Sequence, residues 1–218
     1  RPCFLRYLAA GEVPDSSTKE PKHMKIMPIL AASAITLSLQ TRADNVVYDL
    51  DGSHADIGVD VRHMVVSTTR GAFGKITGKL TLDAKGDLVS AECTIPVASV
   101  DTKDAKRDEH LRGEDFFDAG KNPDITFKST AVKKTSAGKY EVTGDLKMRD
   151  VTKAVTLPVD LNGPIQDPWG NTRVGFETTT TINRQDWNIK YGGLLGTGDK
   201  AIGDDVKIHV SVEGIKAK

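Results

Sequence analysis

The chain has 218 residues with 30 basic and 30 acidic side chains and 38% apolar residues. Setting aside the six basic and three acidic residues before Asp44 leaves 24 and 27, a formal charge of −3 with no basic stripe, which excludes nucleic acid as an expected partner. Cys93 is the one cysteine after that point, so this part has no internal disulfide, and its alternation with Ala91 and Ile95 reads as a buried small residue.

Residues 1–23 show no periodicity and are read as an untranslated or non-native upstream extension. Residues 24–43 carry a basic Lys25, an apolar run from Ile26 to Leu39, and then Thr41-Arg42-Ala43. That pattern is a secretory signal peptide with cleavage expected after Ala43, and its apolar run is too short for a comfortable membrane span. Residues 44–218 are then one exported domain with no transmembrane span.

From there apolar and polar residues trade places one for one. Ile57, Val59 and Val61 share a face, as do Tyr140, Val142, Leu146 and Met148. Leu157 with Val159, and Val206, Ile208 with Val210, repeat the pattern. A period of two places alternate side chains on opposite faces of a sheet. Nine strands are predicted, over 46–50, 55–64, 71–83, 88–97, 125–134, 139–148, 154–162, 172–184 and 204–215. Ala84 to Asp87 and Thr135 to Gly138 read as hairpin turns, so sequential antiparallel order is expected. Such strands close into a barrel or stack into a sandwich, an all-β class. Large inward aromatics are few: Phe73, Phe127, Tyr140 and Phe176. An inner face of mostly small and medium residues leaves room for a guest.

Alternation stops between Val100 and Asp124. Asp101 to Arg112 reads as a short polar helix with Ala105 and Leu111 as inward anchors, followed by a turn held by Phe116-Phe117. A long connection among short hairpins either covers a binding mouth or caps a barrel end. Gly192 to Gly198 is a glycine-rich flap with two apolar residues, Leu194 and Leu195; no helix follows it, so it is no phosphate cradle.

The histidines after the signal are His54, His63, His110 and His209, without metal-ligand spacing, and no metal is expected. His209 points outward between Ile208 and Val210. His63 continues the register of Val59 and Val61, as a backbone-bonded histidine, a head-group contact or a ligand to metal. His110 sits between Arg107 and Arg112, a cluster that either binds an anionic head or pins the crossover by salt bridges. Arg184, near Asp186, is a fourth mouth candidate. No nucleophile elbow, zinc-protease motif or defined carboxylate pair is present, so no catalytic residue is assigned.

One ordered set of segments carries a family resemblance: Asp51-Gly52-Ser53-His54-Ala55, Val61-Arg62-His63, Gly71-Ala72-Phe73-Gly74, Ser99-Val100-Asp101-Thr102, Arg107 to Leu111, Asp115-Phe116-Phe117-Asp118, Pro123-Asp124-Ile125-Thr126-Phe127, Gly144-Asp145-Leu146, Val151-Thr152-Lys153, Arg184-Gln185-Asp186-Trp187 and Gly203-Asp204-Asp205-Val206. The set resembles the YceI-like family over nearly all of Tyr48 to Glu213. It departs from that family at Ala55, at Leu146 to Asp150 and at Trp187-Asn188. The resemblance implies a lipocalin-like, extended antiparallel β-barrel of about eight strands with a short helical crossover, exported to the periplasm. It also implies a polyisoprenoid, isoprenoid quinone or other long-chain apolar lipid in the barrel, with no cofactor and no catalytic set.

The expected cavity lining is Ile57, Val59, Val61, His63, Phe73, Phe127, Val142, Leu146, Leu157, Val159, Phe176, Val206, Ile208 and Val210. The expected mouth is Arg107, His110, Arg112 and Arg184. The function expected is binding, sequestration or transport of the lipid, and a homodimer is compatible with it. Two other classes stay open: an enzyme on a lipid substrate using His63 or His110, and a structural or interaction protein with a filled barrel.

Overall fold

The computed structural model describes residues 44–218; the proposed extension and signal peptide lie outside the described residues. Ten strands form: β1 (Val46–His63), β2 (Ser67–Phe73), β3 (Thr77–Leu82), β4 (Leu88–Pro96), β5 (Val100–Asp101), β6 (Asp124–Ser136), β7 (Lys139–Met148), β8 (Val151–Gln166), β9 (Thr172–Asn183) and β10 (Ile202–Lys216). One α-helix, α1 (Ala105–Arg112), lies in the crossover, and single 3₁₀ turns occupy Val97–Ser99 and Arg184–Trp187.

Eight of these strands close an antiparallel barrel in the order β1, β3, β4, β6, β7, β8, β9, β10, and β10 returns to β1. Closure leaves the barrel strands few free edges. The β1–β10 register pairs Ile57 with Val210, Val59 with Ile208 and Val61 with Val206, which puts the three pairs on one face. Hairpin connections give the expected near-sequential order; β2 and β5 lie outside it, β2 paired to the second half of β1 and β5 to β2.

Two sequence boundaries differ from expectation, both along the long strand β1. Residues 46–50 and 55–64 are a single strand interrupted by a bulge between Asp51 and Ala55, where Gly52, Ser53 and His54 break the alternation. Asp51 stabilises the bulge by accepting from the Ser53 amide at 3.0 Å and hydroxyl at 2.6 Å. The predicted strand 71–83 is divided at Gly74–Ile76, because β2 pairs with the second half of β1 and β3 with its first half.

The two barrel ends differ. At the end formed by the β3–β4, β6–β7 and β8–β9 turns, the interior is packed solid by Leu82, Leu88, Tyr140, Val142, Val159 and Val174, all buried. At the opposite end lie the β1–β2 turn, the crossover carrying α1, and the connection from β9 to β10.

Inward glycine sets the shape of the middle. At Gly144 a Cβ would come within 2.5 Å of the Phe127 ring and 2.6 Å of the Lys128 carbonyl oxygen. The missing side chain lets Phe127, one strand over, lie across β7.

Candidate functional site

Above the packed end the barrel is hollow. An inner chamber of about 170 Å³ is lined almost wholly by apolar side chains. Ile57, Val59, Phe73, Phe127, Leu146 and Leu157 all face it, and Phe176, Val206, Ile208 and Val210 complete the predicted set there. An outer chamber of about 260 Å³ opens at the α1 end, lined by Val59, Val61, His63, Phe73 and Val206 together with residues of the crossover. The chambers share Val59, Phe73, Phe117, Arg184, Ile189 and Val206, which form the constriction between them. Phe73 and Phe117 meet edge to face there, with ring centres 5.9 Å apart.

Val142 and Val159 do not reach the cavity. Both were expected to line it, and both are packed into the closed end, Val142 with 0% of its surface exposed. Alternation gives the face on which a side chain lies; height along the barrel decides whether that face meets neighbours or space.

The lining also includes residues outside the expected cavity set. Leu50, Met148 and Ile182 continue the alternating faces already marked. Phe117 and Ile189 come from irregular segments, where no period announces them. Cys93 lines the inner chamber, and its partial exposure is exposure to that space. Burial pushes its thiol up to about 11. Cys93 is therefore expected to react with a small apolar thiol reagent far more slowly than a free cysteine at pH 8, since only the thiolate attacks. A ligand filling the chamber should slow it further, which intact-mass spectrometry of timed samples would show.

The four mouth candidates separate. Arg107 and His110 line the outer chamber. Arg107 is engaged by Thr102, donating from Nε to Oγ1 at 2.7 Å and from Nη2 to the carbonyl oxygen at 2.8 Å. His110 Nε2 lies 2.7 Å from Asp115 Oδ2, and its ring stands edge-on to Phe116 and Tyr191 at 5.0 and 4.8 Å. Arg112 lies off the chamber lining; its Nη2 donates to the Val100 carbonyl at 3.3 Å and ties α1 to β5.

Arg184 is no free head-group donor. It is buried, 5% exposed, and all five of its N–H groups are taken. Nε donates to the Gly203 carbonyl at 2.9 Å. Nη1 donates to the carbonyls of Ile189 and Tyr191 at 2.6 and 2.7 Å. Nη2 donates to the Ile202 carbonyl and to Asp204 Oδ1, at 3.2 and 3.3 Å. It thus fastens both ends of the 189–202 flap to the barrel. Arg184 makes no ion pair with its neighbour Asp186, which accepts from Lys153 Nζ at 2.8 Å.

The helix is held by a residue that sequence reasoning missed. Ala105, expected as an anchor, is exposed, while Leu111 packs on the core as expected. The second anchor is the buried Asp108, which accepts from the Thr102 amide at 2.8 Å and hydroxyl at 2.6 Å. Those hydrogen bonds, the hydroxyl's foremost, hold the Asp108 carboxyl below its ordinary range. A depressed pKa contributes stability that is fully present above the unfolded value, near 3.9, and is lost as pH falls through the folded value. The protection of the Thr102 amide, its exchange rate relative to an unstructured amide at the same pH, is therefore expected to be full at pH 5–7 and to fall below about pH 4. Asp108→Ala should remove that protection at neutral pH; hydrogen exchange followed by NMR measures both.

His209 lies on the outer surface over Gly58, where a Cβ would strike its ring. Among the described residues no group of three or more His, Cys, Asp or Glu side chains converges to hold a metal, and no helix is long and apolar enough to cross a membrane.

The segments Leu146 to Asp150 and Trp187-Asn188 meet in space. Trp187 is buried and its Nε1 donates to the Leu146 carbonyl at 3.0 Å. Arg149 Nη1 donates to the Asn188 carbonyl at 2.8 Å. Asn188 takes the left-handed backbone, φ 59°, which asparagine tolerates. These hydrogen bonds join the β7–β8 turn to the 184–188 segment at the open end.

Fold and cavity together define a closed β-barrel with an apolar interior reached from one end. The YceI-like domain family model matches residues 48–214, and the chain belongs to that family. It is 39% identical over 192 residues to a UPF0312 protein of Pseudomonas fluorescens, covering 85% of this chain and 94% of the relative. The structure is similar to that of BcnA from Burkholderia cenocepacia, with 28% identity and a TM-score of 0.64 over 75% of this chain and 98% of BcnA. It is also similar in fold to a polyisoprenoid binding domain from Saccharophagus degradans, with 14% identity and a TM-score of 0.58 over 78% of this chain and 98% of that domain.

Proposed function

We propose that the protein is exported to the periplasm and there binds the chain of an isoprenoid lipid in its two chambers, by burial and without covalent chemistry. The observation that carries the reading is the cavity, apolar along its depth, sealed at one end and open at the other. The Saccharophagus degradans domain, described as polyisoprenoid binding, supports it by likeness of fold.

Magnitudes set the kind of guest. An apolar cavity of about 150 Å³ takes one benzene-sized molecule. The inner chamber, at about 170 Å³, matches the tip of a prenyl chain, and the rest must pass the Phe73–Phe117 constriction into the outer chamber. Each buried methylene contributes about 0.8 kcal/mol. Ten carbons thus give about 8 kcal/mol, comparable to the 4–15 kcal/mol cost of association. Short chains bind weakly, and affinity rises with length until both chambers are full. A polar head would remain at the mouth near His63, Arg107 and His110.

Titration with prenyl alcohols of increasing length, presented in cyclodextrin and read by intrinsic fluorescence, tests this. Affinity should climb steeply with each isoprene unit and then level off. Affinity independent of chain length would remove the reading.

A further inference from the structure

Five of the large apolar side chains that stand exposed among the described residues belong to the open end: Met64, Val65 and Val66 in the β1–β2 turn, and Tyr191 and Leu194 in the flap. Val66 is 84% and Leu194 71% exposed. The Met64 amide donates to the Ala201 carbonyl at 2.8 Å, so the turn is bonded to the flap. These residues stand beside the outer chamber, whose lining includes His63, Tyr191 and Ile202.

The turn's backbone is unusual as well. Met64 and Val65 both take the left-handed conformation, φ 52° and 64°. That conformation favours glycine or asparagine, and a β-branched residue there is strained. The Arg62 guanidinium holds the turn in place by donating to the Val65 carbonyl and, at 3.1 Å, to Thr68 Oγ1. Strain kept in a turn whose apolar side chains stand largely exposed points to a use for them outside the barrel.

Charge narrows the partner. From Val61 to Leu82 there is no acidic residue; Arg62 and His63 flank the turn, Lys190 and Lys200 stand in the flap, and the nearest acids are paired, Asp60 with Arg70 and Asp204 with Arg184 and Lys200, which leaves Asp199 as the flap's exposed carboxylate. The chain from Asp44 is net negative, so this basic and apolar rim is a local feature. A second copy of the chain docking here through a two-fold axis would set these cations against each other. From these observations we infer that the rim inserts Val65, Val66 and Leu194 into the surface of an anionic lipid bilayer, with Arg62, His63 and Lys190 at the level of the head groups. The barrel mouth then faces the membrane, and a prenyl chain passes between bilayer and cavity without crossing water. The inference deepens the lipid-binding reading and rests on it for its purpose.

The test uses sedimentation with vesicles of phosphatidylglycerol and phosphatidylethanolamine in equal parts, with phosphatidylcholine vesicles for comparison. The protein from Asp44 onward should partition to the anionic vesicles, more weakly at high salt. Val66→Asp and Leu194→Asp, both at exposed positions, should keep the wild-type melting temperature and each lose about tenfold in partitioning. Their uptake of a prenyl alcohol from cyclodextrin should be unchanged. Equal partitioning of wild type and both variants would overturn the inference. So would a dimer, detected by sedimentation equilibrium, that Val66→Asp dissolves while wild type ignores vesicles. If wild type takes no prenyl alcohol from cyclodextrin yet partitions in an Asp-sensitive way, the docking surface stands and the cavity reading fails.

Discussion

Val142→Trp is expected to lower the melting temperature severely, and Ile208→Trp to leave it nearly unchanged while abolishing lipid uptake. Both side chains lie on the inner face, so alternation treats them alike. Val142 has no exposed surface and is packed between the paired strands β6 and β8, opposite Val132 and Leu157. A larger ring there must displace the neighbours. Overpacking a filled core costs about 1–3 kcal/mol, and a valine-to-tryptophan change belongs at or above the top of that range. At about 2–4 °C per kcal/mol for a domain of this size, the melting temperature should fall by about 6–12 °C. Ile208 faces the inner chamber, where a ring fills space in place of displacing atoms. Its stability should change by less than about 1 kcal/mol, while the chamber loses the volume that a prenyl tip would occupy. Thermal denaturation read alongside prenyl-alcohol titration separates the two variants. Equal destabilisation by both would mean that the barrel is filled throughout.

Arg184→Met is expected to be the most damaging single change at the open end. Its five N–H donors serve four backbone carbonyls and Asp204, all from residues 189–204. Burial pulls the guanidinium pKa below its usual value, and Asp204 opposes that shift. Removing the cation leaves those acceptors facing an apolar thioether. Breaking a buried, hydrogen-bonded ion pair in this way costs about 3–5 kcal/mol. The loss should be concentrated in the flap: amide exchange should accelerate between Ile189 and Asp204 and leave β6 and β7 near wild type. Lysine at this position should rescue little, since one ammonium cannot reproduce the planar five-donor fork. Uniform acceleration across the barrel would contradict the role assigned to Arg184.

What the sequence made legible follows the physics of alternation. Ile57, Val59, Leu157, Phe176 and Ile208 could be placed on the inner face from a period of two alone. The barrel class followed because such faces must cover one another. Their height in the barrel cannot be read from alternation, so that Val142 and Val159 read as cavity lining and lie in the plug beneath the cavity. The β1 bulge was hidden because Gly52-Ser53-His54 reads as a turn between strands. Phe117 and Ile189 sit in segments held by tertiary hydrogen bonds, where no local period exists. Asp108 is the clearest case: a charged residue in a charged helix gives no sign that a Thr102 amide and hydroxyl wait for it six residues back. The mouth arginines show the same limit. Composition identifies cations, and only geometry shows that Arg184 has no donor left for a ligand while Arg107 and His110 stand at the outer chamber.

The most direct test is mass spectrometry of the organic extract from protein purified without detergent, wild type beside Ile208→Trp. A prenyl-chain lipid is expected in near-stoichiometric amount with the wild type and strongly depleted in the variant, at equal melting temperature. Recovery of no lipid from the wild type, or of the same lipid in equal amount from both proteins, would contradict a barrel that holds its guest in the inner chamber.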